Sequence, residues 1–198
     1  MGRTPLSPGP LVYAHRGDRS RAPDNTLEAY RLSVEAGADG IELDVRQTVD
    51  GALILVHDAV HGHLPPFALM TFDDVRRSEP SIPTLGEMLA EVPGHVFLNV
   101  EIKHSIHEPG FSPDRRVVEA TLAEIATVDD TARILISSFD PDVVRRSAEL
   151  APDVLRGLLI PGAISIDEGV AIAVDIGANA LHPPMTSLFD FNDPAITE

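Results

Sequence analysis

Short apolar runs alternate with helix-like stretches along this chain, and four of the runs end in clustered polar residues. That pattern predicts an α/β fold of the TIM (β/α)8 barrel type. Strands rich in Val, Ile and Leu imply a parallel sheet with helices outside. Right-handed crossovers then leave an open doubly wound sheet or a barrel. The first strand ends in His15-Arg16-Gly17-Asp18 and not in a glycine-rich phosphate loop, and polar residues at strand C-terminal ends favour the barrel.

Leu11–His15 reads as the first strand. A helix from Thr26 to Ala36 follows, with Asn25 as N-cap, Glu28 three residues on and Gly37 past the end. Its apolar stripe is Leu27, Tyr30 and Val34. Gly40–Val45 is the second strand, Asp50-Gly51 a turn, and Ala52–His57 the third strand. Residues 58–82 are a Pro-rich loop with a short helix around Phe72–Arg77. Thr84 and Glu87 form a capping box that opens a helix to Glu91. Val96–Lys103 is the fourth strand, and Ser112-Pro113-Asp114 opens a helix to Ala126 with Pro at its first position. Ile134–Phe139 is the fifth strand, and Asp140-Pro141-Asp142 opens a helix to Leu150. Leu155–Ile160, a helix over Ile166–Ile176, and Ala180–His182 complete the pattern, with Pro194–Glu198 as the first turn of another helix. Eight strands with their helices take about 250 residues. The 198 residues therefore read as a single barrel domain over 1–198, truncated after the seventh strand.

Composition narrows the function classes. Lys plus Arg is 15 against 31 Asp plus Glu, a net charge of −16, which argues against nucleic acid or an anionic membrane as partner. A small phosphate ester stays compatible, because a metal and a few cations reverse the field locally. There is no cysteine, so disulfides and thiolate metal sites are excluded. The opening MGRTPLSPGP lacks an apolar signal core, and no run reaches the roughly 18 apolar residues of a membrane span. A cytoplasmic protein without stable membrane insertion is the expectation.

The strand ends carry the chemistry. Glu42 and Asp44 are two apart on one strand and share a face, their Cα atoms roughly 6.6 Å apart. Glu101 sits likewise two before Lys103 and two after Asn99. Two carboxylates about 4 Å apart repel by about 4 kcal/mol at an effective dielectric of about 20. A divalent cation removes that cost, and an all-oxygen set favours Mg²⁺ or Ca²⁺, with Mn²⁺ also compatible. The competing reading is that Glu42 and Glu101 simply pair with Arg16 and Lys103. His15 and His57 end the first and third strands, where one can deprotonate a nucleophile and the other protonate a leaving oxygen. Arg16 and Lys103 are the phosphate anchors, the Arg fork able to hold two oxygens. Phe139 and His182, at the ends of the fifth and seventh strands, are candidate substrate contacts or else rim and core residues. His104 and His107 follow the fourth strand, where they can touch a substrate, and are read first as plain loop residues.

At these residues the chain resembles the glycerophosphodiester phosphodiesterase family. The resemblance is carried by AHRGDRSRAPDNT (14–26), GADGIELDVRQTVDGALILVHD (37–58), IPTLGEML (82–89), LNVEIK (98–103) and ISSFD (136–140). It implies a TIM barrel that hydrolyses glycerophosphodiesters to glycerol 3-phosphate and an alcohol. It further implies a metal on Glu42, Asp44 and Glu101, His15 and His57 as acid and base, and Arg16 on the phosphate. The family pattern has Glu where this chain has Asp24, a different segment after Asp58, and a Trp on its last strand; this chain has no Trp. The nucleophile is either water or the neighbouring glycerol hydroxyl, the latter by way of a cyclic phosphate. Two other readings compete: an inactive or incomplete barrel fragment with open strand edges, and a related phospholipase-type phosphodiesterase.

Overall fold

The structure, a computed structural model, describes residues 10–188. The Pro/Gly-rich start up to residue 9 and the helical turn expected at 194–198 lie outside the described residues. The elements, in order, are β1 (Tyr13–His15), α1 (Leu27–Glu35), β2 (Gly40–Gln47), β3 (Leu53–Leu55), α2 (Phe72–Ser78), α3 (Leu85–Glu91) and β4 (Phe97–Ile102). They continue with α4 (Arg116–Ile125), β5 (Ile134–Ser138), α5 (Pro141–Leu150), β6 (Leu155–Leu159), α6 (Ile166–Asp175), β7 (Ala180–His182) and α7 (Met185–Leu188).

All seven strands join one sheet in the order β1-β2-β4-β5-β6-β7, with β3 attached to β2. The order is that of a barrel wall, each strand laid parallel beside the last. One strand departs from the expected parallel series. β3 runs antiparallel to β2, Arg46 facing Ile54. The reason is the connection: a parallel return needs a crossover of about a dozen residues or more, and the tight turn at Asp50-Gly51 allows only a hairpin. Gly51 takes φ +93° there. The wall therefore has six parallel strands among the described residues, and β4, not β3, lies beside β2.

Helices cover the outer face. The main core joins α1, α3, α4 and α5 to the sheet through Tyr30, Ile41, Leu43, Leu85, Met88, Leu98, Val100, Val118, Ile136 and Val143. A smaller cluster under α6 holds Val144, Leu158, Ile160 and Ile176. Capping decides several helix starts. Thr84 and Glu87 form the expected reciprocal box on α3, and Asp140 caps α5 with Pro141 at its first position. Two starts differ from expectation. α1 is capped by Thr26, whose Oγ1 accepts from Ala29 N–H, and not by Asn25, which is engaged elsewhere. α4 begins at Arg116, because the Ser112 carbonyl is taken by His104 Nε2 and Arg115 is left-handed at φ +50° with its guanidinium on Asp140 and Asp142.

Candidate active site

The HRG run turns the chain sharply at the end of β1. Arg16 is left-handed at φ +61°, and its N–H donates to both the carbonyl and the Oε2 of Glu42, at 3.0 and 3.1 Å. Gly17 follows at φ +82°, and a Cβ there would stand 2.7 Å from Ala29 on α1. No other residue allows that close approach. The turn places His15 and Arg16 beside the carboxylates of β2.

Parallel register brings those carboxylates together. Asp44 on β2 stands opposite Glu101 on β4, and Glu42 lies two residues back on the same face. One oxygen from each of Glu42, Asp44 and Glu101 lies within 4.8 Å of the others. All three residues are buried. Burial first, then Asp44 and Glu101, pushes the Glu42 carboxyl up to about 8. Burial likewise raises Glu101. For Asp44 burial is outweighed by Lys103, the Asn25 hydrogen bond and Arg16, and its carboxyl is held below the ordinary range.

Two cations answer part of this charge. Lys103 Nζ lies 2.9 Å from Asp44 Oδ1 and 2.5 Å from Glu101 Oε1. Arg16 Nε lies 3.0 Å from Asp44 Oδ2, and its Nη1 3.3 Å from Asp24. The ion pairs of the competing reading are thus partly present, with Asp44 and not Glu42 as the partner of Arg16. They do not exhaust the donor set: Glu42 Oε1 is buried without a hydrogen-bond partner. Three converging carboxylates, with one buried Glu42 oxygen lacking a hydrogen-bond partner, suit a hard divalent cation.

The histidines bracket the cluster. His15 Nε2 lies 3.7 Å from Glu42 Oε2. Burial, then Arg16 and Arg19, lowers its pKa and favours the neutral ring. His57 lies two residues beyond the end of β3. Its Nδ1 is 2.7 Å from Asp58 Oδ1, which leaves Nε2 for substrate. Phe139 and His182 stand apart. Phe139 is half exposed just past β5. His182 ends β7 with its ring against Gly157, and burial alone lowers its pKa.

Several participants escaped the sequence reading. Asn25, expected as a helix cap, is buried at φ +54°: its Nδ2 donates to Asp44 Oδ2 at 2.8 Å, and its Oδ1 accepts from Asp44 N–H and from the Tyr30 hydroxyl. A polar residue two before the apolar stripe, one of whose members is a Tyr, was the available signal. Asp58 orients His57, and the HD pair was visible in the sequence without that role. His104 is held between Asp140 (2.6 Å) and the Ser112 carbonyl (2.8 Å), and tethers the loop after β4. Burial lowers its pKa, but those two acceptors prevail and raise it.

Comparison with known proteins places the chain in a family. The Glycerophosphoryl diester phosphodiesterase family profile matches residues 15–166. A glycerophosphodiester phosphodiesterase of Caldanaerobacter subterraneus subsp. tengcongensis is 33% identical over 193 residues, covering 87% of this chain and 75% of that one. The crystal structure of the glycerophosphodiester phosphodiesterase from Thermotoga maritima matches with TM-score 0.73 and 27% identity, covering 89% of this chain and 74% of that one. An Oleispira antarctica phosphodiesterase in complex with the product sn-glycerol-3-phosphate shares the fold at TM-score 0.75 and 22% identity, covering 88% and 74%. With the family profile spanning both histidines and all three carboxylates, the chain belongs to the glycerophosphoryl diester phosphodiesterase family.

Proposed function

We propose that this chain hydrolyses glycerophosphodiesters to glycerol 3-phosphate and an alcohol, with Mg²⁺ or Ca²⁺ held by Glu42, Asp44 and Glu101. The observation that carries this reading is the meeting of those three carboxylates, one oxygen of each within 4.8 Å of the others, beside Arg16 and Lys103. When bound, such an ion supplies Lewis-acid stabilisation of a phosphoryl oxygen and lowers the pKa of a nucleophilic hydroxyl.

The protein's own groups do the rest. Arg16, fixed on Asp44 and Asp24, turns its remaining N–H bonds to the phosphate. Lys103 contributes a second positive charge against the phosphoryl oxygens as negative charge grows there. His15, driven toward its neutral form, takes the proton from the attacking water or from the neighbouring glycerol hydroxyl, and in the second case a water then opens the cyclic phosphate to give glycerol 3-phosphate. His57, oriented through Nδ1 by Asp58, gives a proton from Nε2 to the departing alcohol oxygen. Asn25 holds Asp44 in place from both its amide atoms.

The test is direct. Purified protein with Mg²⁺ is expected to release glycerol 3-phosphate from glycerophosphocholine, to stop in excess EDTA and to resume when Mg²⁺, Ca²⁺ or Mn²⁺ is returned. His15→Ala and His57→Ala are each expected to lower kcat by about 10²- to 10⁴-fold. No product under any metal overturns the activity; undiminished turnover in both variants overturns the assigned roles.

A further inference from the structure

We propose that Arg46, locked by Glu108, is a positioning residue for His57. The inference rests on the acid–base role given to His57 above. β3 ends at Leu55, and the Val56 N–H donates to the Asp44 carbonyl at 3.0 Å as the chain leaves the hairpin. His57 comes next, outside the ladder, where sheet hydrogen bonds no longer fix its backbone.

Arg46 takes over at that point. It extends from β2 two residues past Asp44, with its side chain only 10% exposed. Its Nε and Nη2 both donate to the His57 carbonyl, at 2.9 and 2.5 Å. Its Nη1 and Nη2 also donate to the two carboxylate oxygens of Glu108, at 2.7 and 2.8 Å. Contacts from all three nitrogens fix the plane of the guanidinium, so the carbonyl it grips is fixed too. Among the described residues Arg46 alone donates to that carbonyl. Glu108 reaches in from the loop after β4, and its carboxyl is held below the ordinary range by Arg46.

Stability alone is a poor reason for this pair. The Glu108 side chain is one-third exposed, and an ion pair open to water on one side adds little to stability, at most about 1 kcal/mol. What the pair adds is a rigid backbone anchor at one end of His57, while Asp58 holds the ring at the other. A catalytic ring displaced by about 1 Å loses up to about 100-fold in rate.

A double-mutant cycle tests this. Arg46→Lys keeps a positive charge for Glu108 but cannot donate in one plane to both partners. With glycerophosphocholine and Mg²⁺, R46K is expected to lower kcat by about 10- to 100-fold and to leave KM within about twofold. In the His57→Ala background the same change is expected to lower kcat by less than about threefold, because its target is gone. A second readout needs no turnover: in metal-free protein, R46K is expected to shift or broaden the ring NMR signal of His57 and leave that of His15 unchanged. Should R46K melt below the assay temperature, Glu108→Gln, which retains one oxygen for the guanidinium, is expected to reproduce the pattern at about three- to tenfold. An equal kcat loss in both backgrounds, or an undisturbed His57 signal, overturns the proposal while leaving the reaction intact. A His57→Ala protein of full activity overturns both the proposal and the role of His57.

Discussion

At the N-terminal ends of the strands, Arg156 is buried and donates to the carbonyls of Gly177 (2.7 Å), Val154 (2.7 Å) and Pro152 (3.2 Å). Arg133, also buried, reaches the Val96 carbonyl at 2.8 Å. At the C-terminal ends, Glu42, Asp44 and Glu101 are buried against one another, and Glu42 is driven to about 8. Both regions bury charge, with opposite results. Below, the cations meet backbone oxygens that need a donor, Arg156 three of them and Arg133 one with its Nε left over, and the pairing fastens loops to the barrel floor. Above, like charges crowd and one oxygen goes unanswered. Charge resolved by backbone partners fits a structural position, and like charges left in conflict at the strand ends fit the working role proposed for them above.

The comparison breaks most visibly at Glu42. Glu42→Gln keeps an acceptor for the Arg16 N–H and removes one of the three crowded charges. Turnover of glycerophosphocholine is expected to fall by about 10²- to 10³-fold. The melting temperature in EDTA at about pH 9, where the Glu42 carboxyl has lost its proton, is expected to rise by a few degrees, since about 1 kcal/mol moves a chain of this size by about 2–4 °C. A fall in both quantities, measured by steady-state kinetics and calorimetry, makes the upper cluster structural and ends the contrast.

Arg156→Ala is the mirror experiment. It leaves three carbonyls without their donor and is expected to cost about 2–3 kcal/mol, or about 5–10 °C in melting temperature. Its kcat at a temperature well below the melt is expected to match the parent protein within about twofold. A large kcat loss without a stability loss puts function at both ends of the strands.

The same division explains what was legible in the sequence. Short-range patterns carried the elements: the Thr84 box, the Asp140-Pro141 start and the Val/Ile/Leu strands all depend on neighbours within a few residues. The pairing of Glu42 and Asp44 followed from strand alternation, whereas the placing of Glu101 directly opposite Asp44 was not read, because it depends on β4 and not β3 lying beside β2 in the wall. The direction of β3 was not read, although the two-residue Asp50-Gly51 turn forbids a parallel return. Asn25 was misread because Asn suits a helix cap as well as it suits a buried amide; only the distant Asp44 decides. Arg46 met Glu108 across 62 residues, a contact no local pattern announces. Arg115 shows the same limit, since Asp140 and Asp142 draw it out of a helix start that local sequence favours.

The smallest effect expected is also the one that isolates the upper cluster, and it is read from pH. The Glu42 carboxyl ordinarily titrates near 4.5 and is pushed to about 8 by burial, then Asp44 and Glu101. The folded state therefore binds this proton more tightly than the unfolded chain between those values. Stability of the metal-free protein is full below about 4.5 and declines as pH rises toward about 8. Glu101 acts in the same direction. The depressed Asp44 carboxyl adds stability that is lost only in acid, below that window. His15, lowered by burial and Arg16, works against the decline up to its ordinary pKa of 6.5, while the raised His104 adds to it above that value. Mg²⁺ held as proposed would compete with the Glu42 proton, so saturating Mg²⁺ is expected to raise the melting temperature by a few degrees more at pH 8 than at pH 5.5. Glu42→Gln is expected to shrink that difference, because only the carboxylate exchanges a proton for the ion. An equal Mg²⁺ shift at both pH values would mean that the ion is not held by titrating carboxylates, and the contrast between the two ends of the barrel would then rest on the lower end alone.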